Sequence, residues 1–245
     1  MKDQCDFQPG HEPGDLIVID LETTRLRPSH LPGGRRAWEI GGLRVNADGS
    51  RNKLHLFTDI DYLGLEGILA RECPDAARAL SEGGDDAPTP GHQGTWFHHL
   101  PEDVCESLDI GGFHQRHPQR NPAVGPTAPV CTDMSAAQTL MDGPWLRGNP
   151  TLVGAVPGFD ESTLRDLLIR TRLIDYDSTP WHYHLMDAET YAAGALGWVP
   201  PYSSDALTAA LGLDPTGYAR HHAYDDAVWA YDLLMAARRY TLERS

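Results

Sequence analysis

The first half of the chain alternates short apolar runs with Gly- and Pro-rich breaks, and the second half settles into helical spacing. Leu16-Ile17-Val18-Ile19 is a compact, β-branched run of the kind that fills a central strand. Thr23 to Arg36, rich in Pro, Gly and Arg, is expected to be a loop. Ala37 to Val45 and Lys53 to Phe57 follow as strands, with Asn46-Ala47-Asp48-Gly49 as the turn between them, so the chain opens with a three-stranded meander. Beyond residue 132, helices are expected over Met134 to Leu140, Phe159 to Arg172, Asp187 to Leu196, Ser204 to Leu211 and His221 to Arg239, with a strand over Thr151 to Ala155. The last helix has the clearest stripe, Ala223, Ala227, Ala230, Leu234 and Ala237, in steps of four and three. Strands first and helices later, with one strand-to-helix return, predict a mixed α/β fold. No internal repeat is present.

Two stretches fall outside this order. Residues 1–14 are polar, with Gly and Pro, and are expected to form a loose arm. Residues 81–131 carry Gly83-Gly84 and a series of prolines from Pro88 to Pro129, which break any long periodicity. A structureless loop of that length is uncommon inside a compact domain, so short helices and ordered loops are expected, with a mobile tip over 81–94. Trp96, Phe97 and Phe113 lie here, either stacking on bases or anchoring the segment to the core. No acidic residue occurs between Asp109 and Asp133, while His114, Arg116, His117 and Arg120 do. This stretch either meets a phosphate backbone or is a solvated loop.

The whole chain of 245 residues has a formal net charge of −15, which argues against a protein that coats long nucleic acid. It does not argue against an enzyme that grips a strand end, because carboxylates that ligate cations contribute to that charge. No apolar run reaches the length of a membrane span, and the N-terminus lacks a signal-peptide core, so a cytoplasmic location is expected. Cys5, Cys73, Cys105 and Cys131 form no C-x-x-C pair and are expected to be free thiols. Cys105, His114, His117 and Cys131 are a weak zinc alternative whose spacing fits no usual finger. His182 and His184 alternate on an expected strand and, with Asp187, either approach the active site or lie at the surface.

The candidate chemistry lies in acids at structured positions. Asp20 and Glu22 follow the first apolar run and, two apart on a strand, share a face with Val18. Side by side they repel, and a cation between them removes the problem; a solvated strand end is the alternative. Asp160 shares its helix side with Leu164, Leu167 and Leu168, and is otherwise an acid favoured by the helix dipole. Asp226 lies three after Ala223 and four before Ala230, on the buried side of the last helix, where an unpaired carboxylate is costly. Its remedy is a cation or a buried Arg. Asp225 is rotated away toward solvent. His221, at the helix start, can lean over the same site. Such a set suits phosphodiester hydrolysis with two hard cations and a His as base.

These residues also carry a resemblance. Ile19-Asp20-Leu21-Glu22-Thr23-Thr24 resembles the first motif, D-x-E-T, of the DnaQ-like 3′→5′ exonucleases. Gly154-Ala155-Val156-Pro157-Gly158-Phe159-Asp160 resembles the second, and His221-His222-Ala223-Tyr224-Asp225-Asp226-Ala227 the third, H-x4-D-A, of the subgroup that uses His. The resemblance spans the meander and residues 151–239 but not 81–131. It implies an RNase H-like α/β fold: a mixed sheet with an opening antiparallel meander and flanking helices. It implies one exonuclease domain over 1–245, with 81–131 as a loop-rich insertion atypical of the family. It further implies Mg²⁺ or Mn²⁺ as two divalent cations on Asp20, Glu22, Asp160 and Asp226, with His221 as base. Leu21 and Thr23 would meet the terminal nucleotide and Phe159 would pack behind the site. The implied substrates are single-stranded DNA or RNA 3′ ends, with homodimers common among relatives. The second motif departs from the family in having Val156-Pro157 where an Asn often precedes Phe-Asp. A catalytically idle binding module on the same fold and a nuclease for specialised small nucleotides are the rival readings.

Overall fold

The computed structural model describes residues 14–28, 30–31, 34–81, 96–125 and 127–244. The expected loose arm at 1–14 and mobile tip at 81–94 therefore lie almost wholly outside the described residues. Its centre is a mixed sheet. Strands β1 (Leu16–Thr23), β2 (Ala37–Val45) and β3 (Arg51–Thr58) form the expected antiparallel meander. The 46–49 turn closes with Gly49 at φ 80°, a conformation that suits glycine.

Helices α1 (Leu65–Glu72), α2 (Pro74–Ser81), α3 (Glu102–Ile110) and α4 (Phe113–Arg116) come next. The short β4 (Val130–Cys131) then joins β3 in parallel at the sheet edge, and α5 (Asp133–Asp142) follows. Strand β5 (Thr151–Gly154) returns beside β1 in parallel, and α6 (Pro157–Arg170) leaves it. A second short strand, β6 (Met186–Asp187), extends that edge before α7 (Ala188–Leu196), α8 (Ser204–Ala210) and the long α9 (Ala223–Leu242). Across the sheet the order is β4-β3-β2-β1-β5-β6. Among the described residues no helix is long and apolar enough to cross a membrane.

Alternation along β1 sends its side chains into two cores. Ile17, Ile19 and Leu21 pack with Leu140 of α5 and Leu164, Leu167 and Leu168 of α6. Val18 faces the other way, into Ala188 and Ala192 of α7 and Ala227, Ala230 and Leu234 of α9. The expected stripe of the last helix is the one that buries. Helix starts lie within two residues of expectation, and at α7 and α9 the start is later because a capping residue precedes the helix. Asp187 is not helical but caps α7, accepting from the Thr190 N–H at 2.7 Å. His221 also lies outside its helix, at φ 57°, and His222 is the N-cap of α9.

Where it is described, the 81–131 segment forms the expected short helices and ordered loops. Trp96, Phe97, Val104, Leu108 and Phe113 are buried in a third core with Trp38 of β2 and Phe57 of β3. These aromatics are anchors, and the base-stacking alternative fails for Trp96 and Phe113, which are wholly buried. The side chains of the basic stretch make contacts within the protein. His117 is buried with Nε2 at 2.9 Å from the Thr58 carbonyl, the Arg120 guanidinium lies over the Phe97 ring, and Arg116 is committed to an internal ion pair. The Cys105, His114, His117 and Cys131 quartet does not assemble: the Cys105 thiol donates to the Phe97 and Leu100 carbonyls. His182 and His184 lie in irregular chain on either side of a bend at Tyr183 rather than on a strand.

Candidate active site

Register explains how the first two acids come to the site. Asp20 and Glu22 pair with Gly41 and Glu39 of β2 and follow Val18 on the face that α9 covers. A side chain at Gly41 would not fit: a Cβ there would lie 2.1 Å from main-chain atoms of Ala223 and Tyr224. The glycine therefore lets the first turn of α9 rest directly on β2, opposite Asp20, and Asp226 arrives one turn later on the buried face.

Asp160 comes from the other crossover. Gly154 ends β5, Pro157 opens α6, and Asp160 in the first helical turn is 3% exposed. The loop after β1 is tied to the same helix. Arg35 donates to Thr163 Oγ1 at 2.6 Å and Ser162 Oγ at 2.5 Å, and its guanidinium stacks on Phe159 at 3.8 Å.

These elements enclose one cleft of about 300 Å³, lined by Asp20, Leu21, Glu22, Phe159, Asp160, His221 and Asp226 together with Leu26, Ala155, Val156 and Arg220. Of the eight site residues that the resemblance implies, only Thr23 is absent from the lining, and His182, His184 and Asp187 do not reach it either. Thr23 is buried, its hydroxyl donates to the Arg25 carbonyl at 3.2 Å, and its own carbonyl accepts from Ser107. Asp225 points to solvent as expected, its side chain 40% exposed.

Burial of the acids raises their proton affinity, and at Asp20, Glu22 and Asp160 neighbouring acids add to it. Burial pushes the Asp160 carboxyl up to about 8, against the Leu21 main-chain N–H and the Arg35 guanidinium, which lower it. Burial likewise pushes Glu22 up to about 7; Arg116 opposes this, while Glu39 and Asp226 reinforce it. Asp20 is raised well above the usual carboxylate range by burial and then by Asp160, Asp226, Glu22 and Glu39. Asp226 is raised by burial, partly offset by Arg220.

The donor set fits hard divalent cations. Asp226 Oδ1 is buried without a hydrogen-bond partner, and the nearest cation, Arg220 Nε, stands off at 3.6 Å. Ligand atoms of Glu22, His221 and Asp226 all lie within 4.8 Å of one another. A cation would satisfy the orphaned oxygen and relieve the repulsion together.

Sequence reasoning missed three supporting residues. Arg116 of α4 joins Glu39 Oε2 at 2.7 Å, donates to the Gly111 and His221 carbonyls and so ties the 81–131 segment to the residue at the cleft. Arg35 and Glu39 carry no signal in the sequence beyond their places in a loop and a strand. A Cβ at Gly111 would lie 2.8 Å from Glu22 Oε2, so the α3–α4 elbow presses on the acid itself. The sequence signal was a Gly-Gly pair beside isolated basic residues, which is weak alone.

No family model matches the chain, and no curated protein matches it. Solved structures do. Escherichia coli Exonuclease I in complex with a dA16 oligonucleotide aligns over 94% of this chain and 43% of that one, at 13% identity and TM-score 0.51. The zinc-bound form of the same enzyme with single-stranded DNA aligns over 94% and 42%, at 14% identity and TM-score 0.51. The fold is RNase H-like. At this identity the likeness speaks for fold alone, and the chain spans under half the length of the Exonuclease I chain it matches. The RNase H-like frame nonetheless accounts for the meander, the parallel return of β5 and the position of α9 across β1 and β2.

Proposed function

We propose that this chain is a single metal-dependent 3′→5′ exonuclease domain that releases nucleoside monophosphates from single-stranded DNA or RNA ends. The observation that carries this reading is the convergence of Asp20, Glu22, Asp160, Asp226 and His221, from three separate parts of the sequence, on one cleft. Asp20, Glu22, Asp160 and Asp226 would hold two divalent cations, Mg²⁺ or Mn²⁺. When bound, such a pair activates water and stabilises charge on the leaving oxygen of a phosphodiester.

The chain's own residues do the rest. His221, exposed at the rim, takes the proton from the attacking water. Arg116 holds the His221 carbonyl and so limits where the ring can sit. Leu26 and Phe159 offer apolar surface to the terminal nucleotide, with Phe159 held by the Arg35 guanidinium, and Leu21 closes the cleft floor between Asp20 and Glu22. Arg220, the basic side chain lining the cleft, is placed to meet a phosphate. Exonuclease I, whose fold this chain shares, was crystallised with single-stranded oligonucleotides, which supports a single-strand substrate.

The test is incubation with single-stranded DNA and RNA, 3′-blocked or free, in Mg²⁺, Mn²⁺ or EDTA, beside Asp226→Ala. Mononucleotides released only from free ends, only with metal and not by the variant, are expected. Internal fragments would indicate an endonuclease. No cleavage of any substrate would overturn the reading.

A further inference from the structure

A second polar constellation lies on the other side of Glu22, and the nuclease reading makes no use of it. Glu39, the register partner of Glu22 on β2, is fully buried. His55 of β3 places Nε2 2.8 Å from Glu39 Oε1, and His222 places Nδ1 3.7 Å from the same oxygen. One ligand atom from each of the three lies within 4.8 Å of the other two. The two imidazole rings are 5.0 Å apart and inclined at 51°.

Two details favour a ligand there over a self-contained ion pair. His222 Nδ1 is shielded from solvent and has no hydrogen-bond partner, a costly state for a ring nitrogen. Glu39 Oε2 is already occupied by Arg116 Nη1 at 2.7 Å, which fixes the carboxylate plane and leaves Oε1 turned toward the two histidines. Orientation of a ligating carboxylate by an outer partner is what a metal site requires.

We propose that Glu39, His55 and His222 form a transition-metal site, distinct from the four-acid cluster, that takes Zn²⁺. Two imidazoles and one carboxylate suit zinc, whereas Mg²⁺ takes oxygen ligands and keeps its waters. His55 ligates through Nε2 and His222 through Nδ1, both neutral. The proton that joins His55 to Glu39 in the metal-free arrangement leaves when the ion enters. The His222 side chain is 26% exposed, which gives the ion a way in and leaves the fourth position to water. Asp225 Oδ2, 3.9 Å from His222 Nδ1, stands at that rim. The bound ion would join β2 and β3 to the residue that caps α9, holding the neighbouring His221 and, one turn on, Asp226.

The experiment separates this site from the acid cluster. The full chain carrying Asp20→Asn and Asp226→Asn, dialysed against Zn²⁺, should retain one equivalent by elemental analysis and, with Co²⁺ in its place, show the visible bands of a four-coordinate ion. Adding His55→Gln and His222→Gln should abolish both, and abolish the rise in Tm that Zn²⁺ produces, with far-UV circular dichroism unchanged. A double Asn variant that binds no zinc would overturn the site, as would zinc retained after both His substitutions. If the quadruple variant does not fold, the single variant His222→Gln on the double Asn background decides: loss of the equivalent supports the site and its retention overturns it. The outcome does not depend on whether the chain cleaves nucleic acid.

Discussion

At the scale of single residues, the carboxylates are held in a state they would not choose unaided. Asp160 is almost wholly buried and Asp226 leaves one oxygen without a partner. Replacing Asp160 by Asn keeps the shape and removes a carboxyl that the unfolded chain ionises but the metal-free fold keeps protonated, so in EDTA at neutral pH the variant should melt higher than wild type, by on the order of 5 °C. The same variant should lose most of the Tm gain that Mn²⁺ gives the wild type. Thermal melts with and without metal check both statements. His221 has a different part. It sits at φ 57° outside the helix, exposed at the rim of the cleft. His221→Ala should lower the cleavage rate by about 10²–10⁴-fold with little change in bound Mn²⁺. A variant that loses metal as well would make His221 a ligand rather than a base.

Elements place those residues, and one close approach dominates. β2 and α9 meet main chain to main chain at Gly41, with no room for a Cβ. Gly41→Ala should displace the first turn of α9, weaken Mn²⁺ binding and destabilise the fold by about 1–3 kcal/mol, readable by calorimetry and urea unfolding. Gly49→Ala, in an exposed turn with open space around it, is the control. It carries only the cost of its left-handed φ and should leave metal binding intact. The 81–131 segment acts at the same scale. Trp96, Val104, Leu108 and Phe113 lock α3 and α4 onto β2 and β3, and from that platform Arg116 reaches the His221 carbonyl. Arg116→Ala should therefore slow cleavage although its hydrogen bonds, to Glu39 and to the Gly111 and His221 carbonyls, reach none of the four acids of the cleft. Arg116→Lys, which cannot reach several partners at once, should not rescue it.

For the whole molecule, the raised carboxyls set the pH dependence. In the metal-free fold Glu22 and Asp160 keep their protons up to about 7 and about 8, above the ordinary range near 4 of the unfolded chain. Between those limits the folded state binds more protons than the unfolded one, so stability falls as pH rises. In EDTA the Tm should be higher at pH 5.5 than at pH 8.5. Saturating Mg²⁺ or Mn²⁺ should flatten that slope, because cations take the place of the protons. A Tm that rises with pH in EDTA would contradict the crowding of the four acids.

The sequence by itself determined the strand meander, the later strand that leads into a helix and the amphipathic last helix, because periods of two and of three to four report which face is buried. It also picked out the acids, since Asp226 stands on an apolar stripe and Asp20 and Glu22 end a core strand. Boundaries slipped where capping chemistry overrode periodicity, as at Asp187 and His222. Only the tertiary structure decided what the 81–131 segment does, because its proline breaks hide an aromatic core whose partners, Trp38 and Phe57, lie far away in sequence. The same holds for Arg116 at the His221 carbonyl and for Glu39, His55 and His222. Their meeting depends on strand register and on how closely a helix can approach a glycine. Both are long-range distances, which no local pattern of hydrophobic and polar residues encodes.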